Sequence, residues 1–156
     1  MIRKATIEDL LSIHNLYKIL FDRMVELEPN YMKSATQDTT FIKSVIKGEN
    51  DFTIFIAEDN KEVQGFAIAQ LQSAPLYNCF IQQRCIYLMD LIVSPDNQGK
   101  GYGKKLIQSI KEWGVQNKVE YFELSVLTEN TRAIALYEIE GFTAFNQSMR
   151  MRLDNK

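Results

Sequence analysis

The stretch VSPDNQGKGYGKKL, residues 93–106, puts Gly99, Gly101 and Gly103 within five positions and follows them with Lys104, Lys105 and Leu106. An apolar run, CIYLMDLIV (residues 85–93), leads into it. Apolar residues at helical spacing, Leu106, Ile107, Ile110 and Trp113, lead out of it. Strand, glycine-rich turn, helix is an arrangement in which the backbone itself can bind an anion. The first amides of a helix have no internal acceptor, and the aligned peptide dipoles make that end partly positive. Phosphate oxygens accept hydrogen bonds from such amides. Glycines allow positive φ and remove the Cβ atoms that would block approach. Lys100, Lys104 and Lys105 add positive charge. The spacing excludes two common phosphate loops. No Ser or Thr follows a Gly-Lys pair, as a P-loop requires, and G-x-G-x-G is not the G-x-G-x-x-G of dinucleotide sites. A glycine-rich turn with no ligand is the plain alternative.

Working outward, the continuous apolarity of residues 85–93 suggests a strand covered on both faces. Residues 101–117 read as a helix, 121–127 as a strand, and 130–140 as a short helix that stops at Gly141. Residues 142–153 read as one or two further strands. Upstream, residues 2–5 suit a short strand. Thr6 and Asp9 form a weak capping box before a helix carrying Leu10, Ile13, Leu16, Leu20 and Met24, which ends before Pro29. Asp38 or Thr39 caps a second helix through Phe41, Ile42, Val45 and Ile46, closed by Gly48. Residues 52–58 and 63–72, joined by the turn 59–62, form a β-hairpin, and 73–83 a loop. The predicted order is β-α-α-β-β-β-α-β-α-β. That is an α/β fold with a mixed central sheet of six or seven strands and about four helices on its two faces.

The chain has 156 residues, which suits one domain spanning 1–156. Hydrophobic residues make up 46% and charged residues 24%, so a packed core is expected. A net charge of −2 argues against general nucleic-acid binding. The only histidine, His14, and the two cysteines, Cys79 and Cys85, cannot assemble a structural zinc site, and reduced thiols are expected. No metal site is predicted. Early charges and the lack of about 18 consecutive apolar residues argue against a signal peptide or a membrane span, so a cytoplasmic protein is expected.

The segment VSPDNQGKGYG resembles the acyl-CoA signature of the GNAT superfamily of N-acetyltransferases, [Q/R]-x-x-G-x-[G/A], with Gln98, Gly101 and Gly103 at the defining positions. Downstream, NTRAIALYEIEGF resembles a later motif of that superfamily through Asn130, Tyr137, Gly141 and Phe142. The resemblance implies acetyl-CoA as co-substrate. Leu91, Ile92 and Val93 would bond its pantetheine arm through their backbone. The amides of Gln98, Gly99, Lys100, Gly101, Tyr102, Gly103 and Lys104 would hold its pyrophosphate. The strands before and after the loop would splay around the thioester. Asn130 would touch the pantetheine or simply cap the following helix. Tyr137 would lie near the sulfur as general acid, or simply pack under the sheet. A backbone amide near Leu91 would meet the developing oxyanion.

An amine acceptor has to lose a proton before it attacks. Some relatives carry a glutamate on the strand before the loop, and that place falls here on Met89. Asp90 is the neighbouring carboxylate, although strand alternation would turn it to the opposite face from Met89. It is either the base, or a group that orients water, or a structural acceptor. Glu123 is a weaker candidate, and removal through waters is equally consistent. The resemblance puts the acceptor near the first helices. There Asp22, Glu26 and Glu28 could attract a cation, and Tyr31, Tyr77 and Tyr87 could line the entrance, with Met89 at the cleft. The leading expectation is transfer of an acetyl group to a primary amine of a small molecule in a ternary complex. A peptide or protein amine, or a non-catalytic acyl-CoA sensor, are the alternatives. The last strand, SMRMRL, would help form a homodimer, by analogy with relatives.

Overall fold

Side chains between Phe52 and Ser73 that are buried on both faces build the centre of the sheet. The computed structural model describes residues 1–154. Its strands are β1 (Ile2–Lys4), β2 (Phe52–Asp59), β3 (Glu62–Ser73), β4 (Arg84–Val93) and β5 (Tyr121–Leu124). Its helices are α1 (Leu10–Leu27), α2 (Thr39–Ile46), α3 (Tyr102–Gln116) and α4 (Thr131–Ile139). The strands form one five-stranded sheet in the order β1-β2-β3-β4-β5. Neighbours are antiparallel except the last pair, since β4 runs parallel to β5. The α3 crossover makes that parallel step.

Two clusters of apolar side chains cover the two faces. On one face Ile13, Leu16 and Tyr17 of α1 and Ile42 and Val45 of α2 pack on Ile54, Ile56, Phe66, Ile68 and Ile92. On the other, Leu106 and Ile110 of α3 pack on Ala57, Ala67, Ala69, Ile86 and Leu88, with Leu91, Val93 and Tyr137 against them. Each fully buried Ile or Leu contributes roughly 1.5–3 kcal/mol. Helix entry follows the local sequence. The Asp9 carboxylate accepts from Thr6 N–H at 2.7 Å, and Asp38 accepts from Thr40 N–H at 2.8 Å.

Two strand expectations are corrected. Residues 142–153 contain no strand, so the sheet has five strands among the described residues rather than six or seven. Alternation of residue type is satisfied only if an edge is available to pair with, and residues 143–153 pair with none among the described residues. β5 also stops at Leu124 instead of 127, because there it leaves β4. Of the two thiols, Cys85 is buried and Cys79 is exposed on the β3–β4 loop.

Candidate active site

β4 pairs with β5 from Cys85 opposite Tyr121 to Leu88 opposite Leu124, and no further. β4 itself continues to Val93, paired only with β3. From Met89 to Val93 the β5 side of β4 is therefore open, and alternate backbone groups of that stretch face the gap.

Just where the strands part, β4 carries a bulge. Ile68 of β3 is opposite Asp90 and Ala69 is opposite Leu88, which leaves Met89 as the extra residue. A bulge resets which face each side chain takes. Leu88 and Leu91 both join the α3-side cluster, so Met89 and Asp90 between them share the α1 side. Simple alternation, which would have opposed Met89 and Asp90, does not hold. Met89 is 37% exposed. Asp90 turns towards α1, where the Tyr17 hydroxyl donates to Oδ2 at 2.6 Å. Burial pushes the Asp90 carboxyl up to about 6, against the opposing pull of that hydrogen bond. Tyr17 lies in the core of α1, its ring 4.9 Å from Phe66 and 5.4 Å from Phe21. Its spacing on α1 reads as plain core, so nothing in the sequence marks its hydroxyl for a partner 73 residues away.

Tyr137 of α4 stands on the α3 side, its ring 5.8 Å from Phe142. Its hydroxyl is pushed up to about 12, by burial first and by the Asp90 charge second. Tyr137 and Asp90 thus sense one another from opposite faces of the sheet. Asn130 caps α4, its Oδ1 accepting from Ala133 N–H at 3.3 Å.

The glycine loop follows β4 directly. Ser94 N–H to Gln64 O (2.8 Å), Asn97 Nδ2 to Gln64 Oε1 (2.5 Å) and Gln98 Nε2 to Val93 O (3.3 Å) fasten it to the strand ends. Gly99 and Gly101 have φ of +81° and +85°, where a Cβ is strained. A Cβ at either would meet no protein atom within 4 Å. Gly103 has a different role, since a Cβ there would lie 3.0 Å from Leu136 Cδ2, where α3 meets α4. The first backbone bond of α3 runs from Lys105 N–H to Gly101 O at 3.1 Å. The amides of Tyr102, Gly103 and Lys104 precede it and have no helical acceptor. Amides free at a helix start, beside two open glycines and the exposed Lys100 and Lys104, fit a pyrophosphate.

The residues expected at an acceptor site are less well gathered. Glu26 is exposed and paired with Arg23 at 2.9 Å, and Asp22 is paired with Lys18 at 2.8 Å. Glu28 meets Arg150 at 3.2 Å, and the Arg150 guanidinium lies 3.7 Å above the Tyr31 ring. Each acid of the α1 end therefore already has a cation. Tyr77 sits on the β3–β4 loop, at the opposite end of β4 from the glycines. Glu123 is opposite Tyr87, within the closed part of the β4–β5 pair. A separate groove of about 590 Å³, lined in part by Arg3, Asp9 and Glu58, lies by β1. Its Arg3 is engaged by Asp9 at 2.9 Å and Glu58 at 3.0 Å, which makes it a structural ion-pair network away from the cleft.

The same architecture occurs in a mutant of the Bacillus halodurans protein BH1408, with a TM-score of 0.92 and 25% identity over 98% of this chain and 99% of that one. The aminoglycoside N-acetyltransferase AAC(6')-Iy, solved with CoA, shares the fold with a TM-score of 0.74 and 19% identity over 99% of each chain. In sequence, the N-acetyltransferase YhfO of Bacillus subtilis, itself uncharacterized, is 31% identical over 102 residues, 65% of each protein. A thialysine N-epsilon-acetyltransferase of Sus scrofa is 38% identical over 58 residues, 37% of this chain and 34% of that enzyme. The matches thus span less than two thirds of the length of either relative. The acetyltransferase (GNAT) family profile matches residues 13–142, nearly the whole stretch from α1 to the end of α4, and the chain belongs to that family.

Proposed function

We propose that this protein is an N-acetyltransferase that moves an acetyl group from acetyl-CoA to a primary amine of a small molecule, by direct attack in a ternary complex. The observation that carries the reading is the parting of β4 from β5 after Leu88 and Leu124. It opens a gap with Asp90 on one face, Tyr137 on the other and the glycine loop at its end. Acetyl-CoA supplies an activated thioester carbonyl. The chain's residues do the rest. The amides of residues 98–104 hold the pyrophosphate. The backbone of Leu91, Ile92 and Val93 bonds the pantetheine arm, and an amide near Leu91 stabilises the developing oxyanion. Asp90 accepts the amine's proton, and Tyr137 gives one to the leaving thiolate. Asn130 holds the start of α4, so that Tyr137 is presented at the sulfur.

The small-amine substrate is supported by the thialysine enzyme among the relatives. In this reading Met89, Glu26 and Tyr31 line the way in for the amine, and residues 1–156 form one domain working in the cytoplasm. The test is thiol release from acetyl-CoA against a panel of primary amines: thialysine, lysine, spermidine, an aminoglycoside and an N-terminal peptide. Turnover of a small amine is the expected result. Turnover of the peptide alone would move the substrate class to proteins. Tight acetyl-CoA binding without turnover of any amine would make the protein a sensor.

We also propose a homodimer through residues 142–153. Phe145, Met149, Met151 and Leu153 there are 73%, 92%, 80% and 91% exposed, and β5 ends the sheet with a free edge.

A further inference from the structure

We propose that Tyr17 is a positioning residue for acyl transfer: from the core of α1 its hydroxyl holds Oδ2 of Asp90, leaving Oδ1 turned to the gap to receive the amine's proton. This rests on the acetyltransferase reading above. Three observations carry it. Tyr17 is fully buried and its ring is wedged against Phe21 and Phe66, so its hydroxyl is fixed where it meets Asp90 at 2.6 Å. The bulge at Met89 aims Asp90 towards α1. Among the described residues Oδ1 accepts no protein hydrogen bond, yet no buried polar side-chain atom is left without a partner, so Oδ1 reaches solvent. A carboxylate with one oxygen clamped and the other free is arranged to take a proton.

The surroundings keep that carboxylate responsive. Tyr17 of α1 bonds it, Ile68 of β3 is its cross-strand neighbour, and Tyr137 of α4 feels its charge from the other face of the sheet. The Gln37 side chain, in the segment before α2, partly offsets the rise in the Tyr17 pKa. No cation is among them. An arginine partner would hold the acid permanently ionised and spent, whereas a phenol gives a charge-assisted hydrogen bond without neutralising it. Burial drives Tyr17's own ionisation far above the ordinary phenol range, and the Asp90 charge adds to this, so Tyr17 keeps its proton throughout. The step is a simple transfer. An N–H bond of the bound ammonium breaks, an O–H bond forms at Asp90 Oδ1, and the amine is left neutral with its lone pair free to attack.

The test compares wild type, Tyr17→Phe and Asp90→Asn by the pH dependence of kcat/KM in the thiol-release assay, using the best amine of the panel. A carbon-13 titration of the Asp90 carboxyl runs alongside. In wild type the acidic limb and the carboxyl titration should share a midpoint near the Asp90 value of about 6. In Tyr17→Phe both should move up by about one unit, which lowers kcat/KM roughly fivefold at pH 6 and changes it little at pH 8.5. In Asp90→Asn the limb should vanish. A Tyr17→Phe protein that melts earlier but keeps the limb in place would make Tyr17 structural only and overturn the proposal. Should Tyr17→Phe not fold, 3-fluorotyrosine placed at position 17 is a stronger donor and should move the limb down, and an unmoved limb overturns the proposal. Wild type inactive on every amine would overturn the acetyltransferase reading and this proposal with it. Turnover with an unmoved limb overturns this proposal alone.

Discussion

The Asp90 carboxylate opposes ionisation of the Tyr137 phenol across the gap between β4 and β5, adding to the larger effect of burial. Two acidic groups whose surroundings push them apart, one up to about 6 and the other up to about 12, can hold different protonation states at neutral pH. Asp90 is mostly ionised there and Tyr137 is fully protonated. The Tyr137 hydroxyl makes no hydrogen bond to protein among the described residues, so its proton is uncommitted. Tyr137→Phe should therefore lower kcat by about 100-fold, the lower range for loss of a general acid. Acetyl-CoA affinity by calorimetry should stay within about threefold, and the melting temperature should barely change. A kcat within twofold of wild type would leave Tyr137 a packing aromatic.

The raised Asp90 value has a consequence for stability. A carboxyl with a folded-state pKa above its unfolded one binds more protons when folded, so its contribution favours the fold at low pH. That contribution is lost as pH rises from about 3.8 through about 6. Two units correspond to about 2–3 kcal/mol. Asp90→Asn keeps an acceptor for Tyr17 and carries no charge. It should unfold at higher urea than wild type at pH 7.5, and the difference should shrink towards pH 4. An Asp90→Asn protein less stable than wild type at pH 7.5 would mean the ionised carboxylate is itself favourable in the fold.

Gly101 and Gly103 should fail in different ways. At Gly101, with φ of +85° and free space around a Cβ, substitution by alanine strains only the loop backbone, by about 1–2 kcal/mol. The loop should relax, the amides should turn away, and acetyl-CoA affinity should fall at least tenfold with little change in melting temperature. Gly101→Val adds a branched side chain in the anion's path and should abolish binding. Gly103→Val presses on Leu136, so it should lower the melting temperature in the absence of any ligand. Calorimetry and thermal denaturation of the three variants separate the two roles. Unchanged affinity in Gly101→Val would remove this loop from the site.

The order of helices and strands up to α4 was legible because the helices carry apolar residues at helical spacing, the strands are short apolar runs, and caps, turn residues or glycines lie between them. The glycine loop was legible for the same local reason. The bulge was not. In CIYLMDLIV nearly every residue is apolar and both faces are covered, so a shift of phase at Met89 leaves no mark in the pattern. Tyr17 was hidden in another way, since a buried tyrosine and a buried phenylalanine look alike in a helical stripe. Its partner is set by tertiary structure alone. Residues 125–127 and 142–153 have strand-like composition without a strand, because pairing depends on a neighbour that composition does not name.

Asn130 caps α4, and substitutions at it separate capping from contact. Asn130→Ala removes the acceptor for Ala133 N–H and should cost about 1 kcal/mol in stability. Asn130→Ser keeps an N-cap oxygen and should restore most of it. If acetyl-CoA affinity follows stability in both variants, Asn130 acts through the helix. A serine variant of near-wild stability that loses tenfold in affinity would show that the amide itself meets the pantetheine.

Arg150 and Arg152 lie over Tyr31, with guanidinium carbons 3.7 Å and 5.6 Å from its ring, while Phe145, Met149, Met151 and Leu153 face outward at odd positions. A segment exposed along residues 143–154, with four large apolar side chains in water, is stable in solution only if something covers it. β5 has an unpaired edge, which in solution is a template for a strand. One copy therefore has an arm without a sheet, and a sheet without the strand the arm would make, so two copies can satisfy each other about a twofold axis. Light scattering should give twice the chain mass at micromolar concentration. Met149→Lys with Met151→Lys removes two apolar contacts from each copy, each contributing roughly 1.5–3 kcal/mol when fully buried. The dissociation constant should rise more than about 100-fold, giving a monomer that still binds acetyl-CoA, because the glycine loop is untouched. Wild type monomeric at high micromolar concentration would mean the arm folds back on its own chain, and β5 would be the first edge on which to look for it.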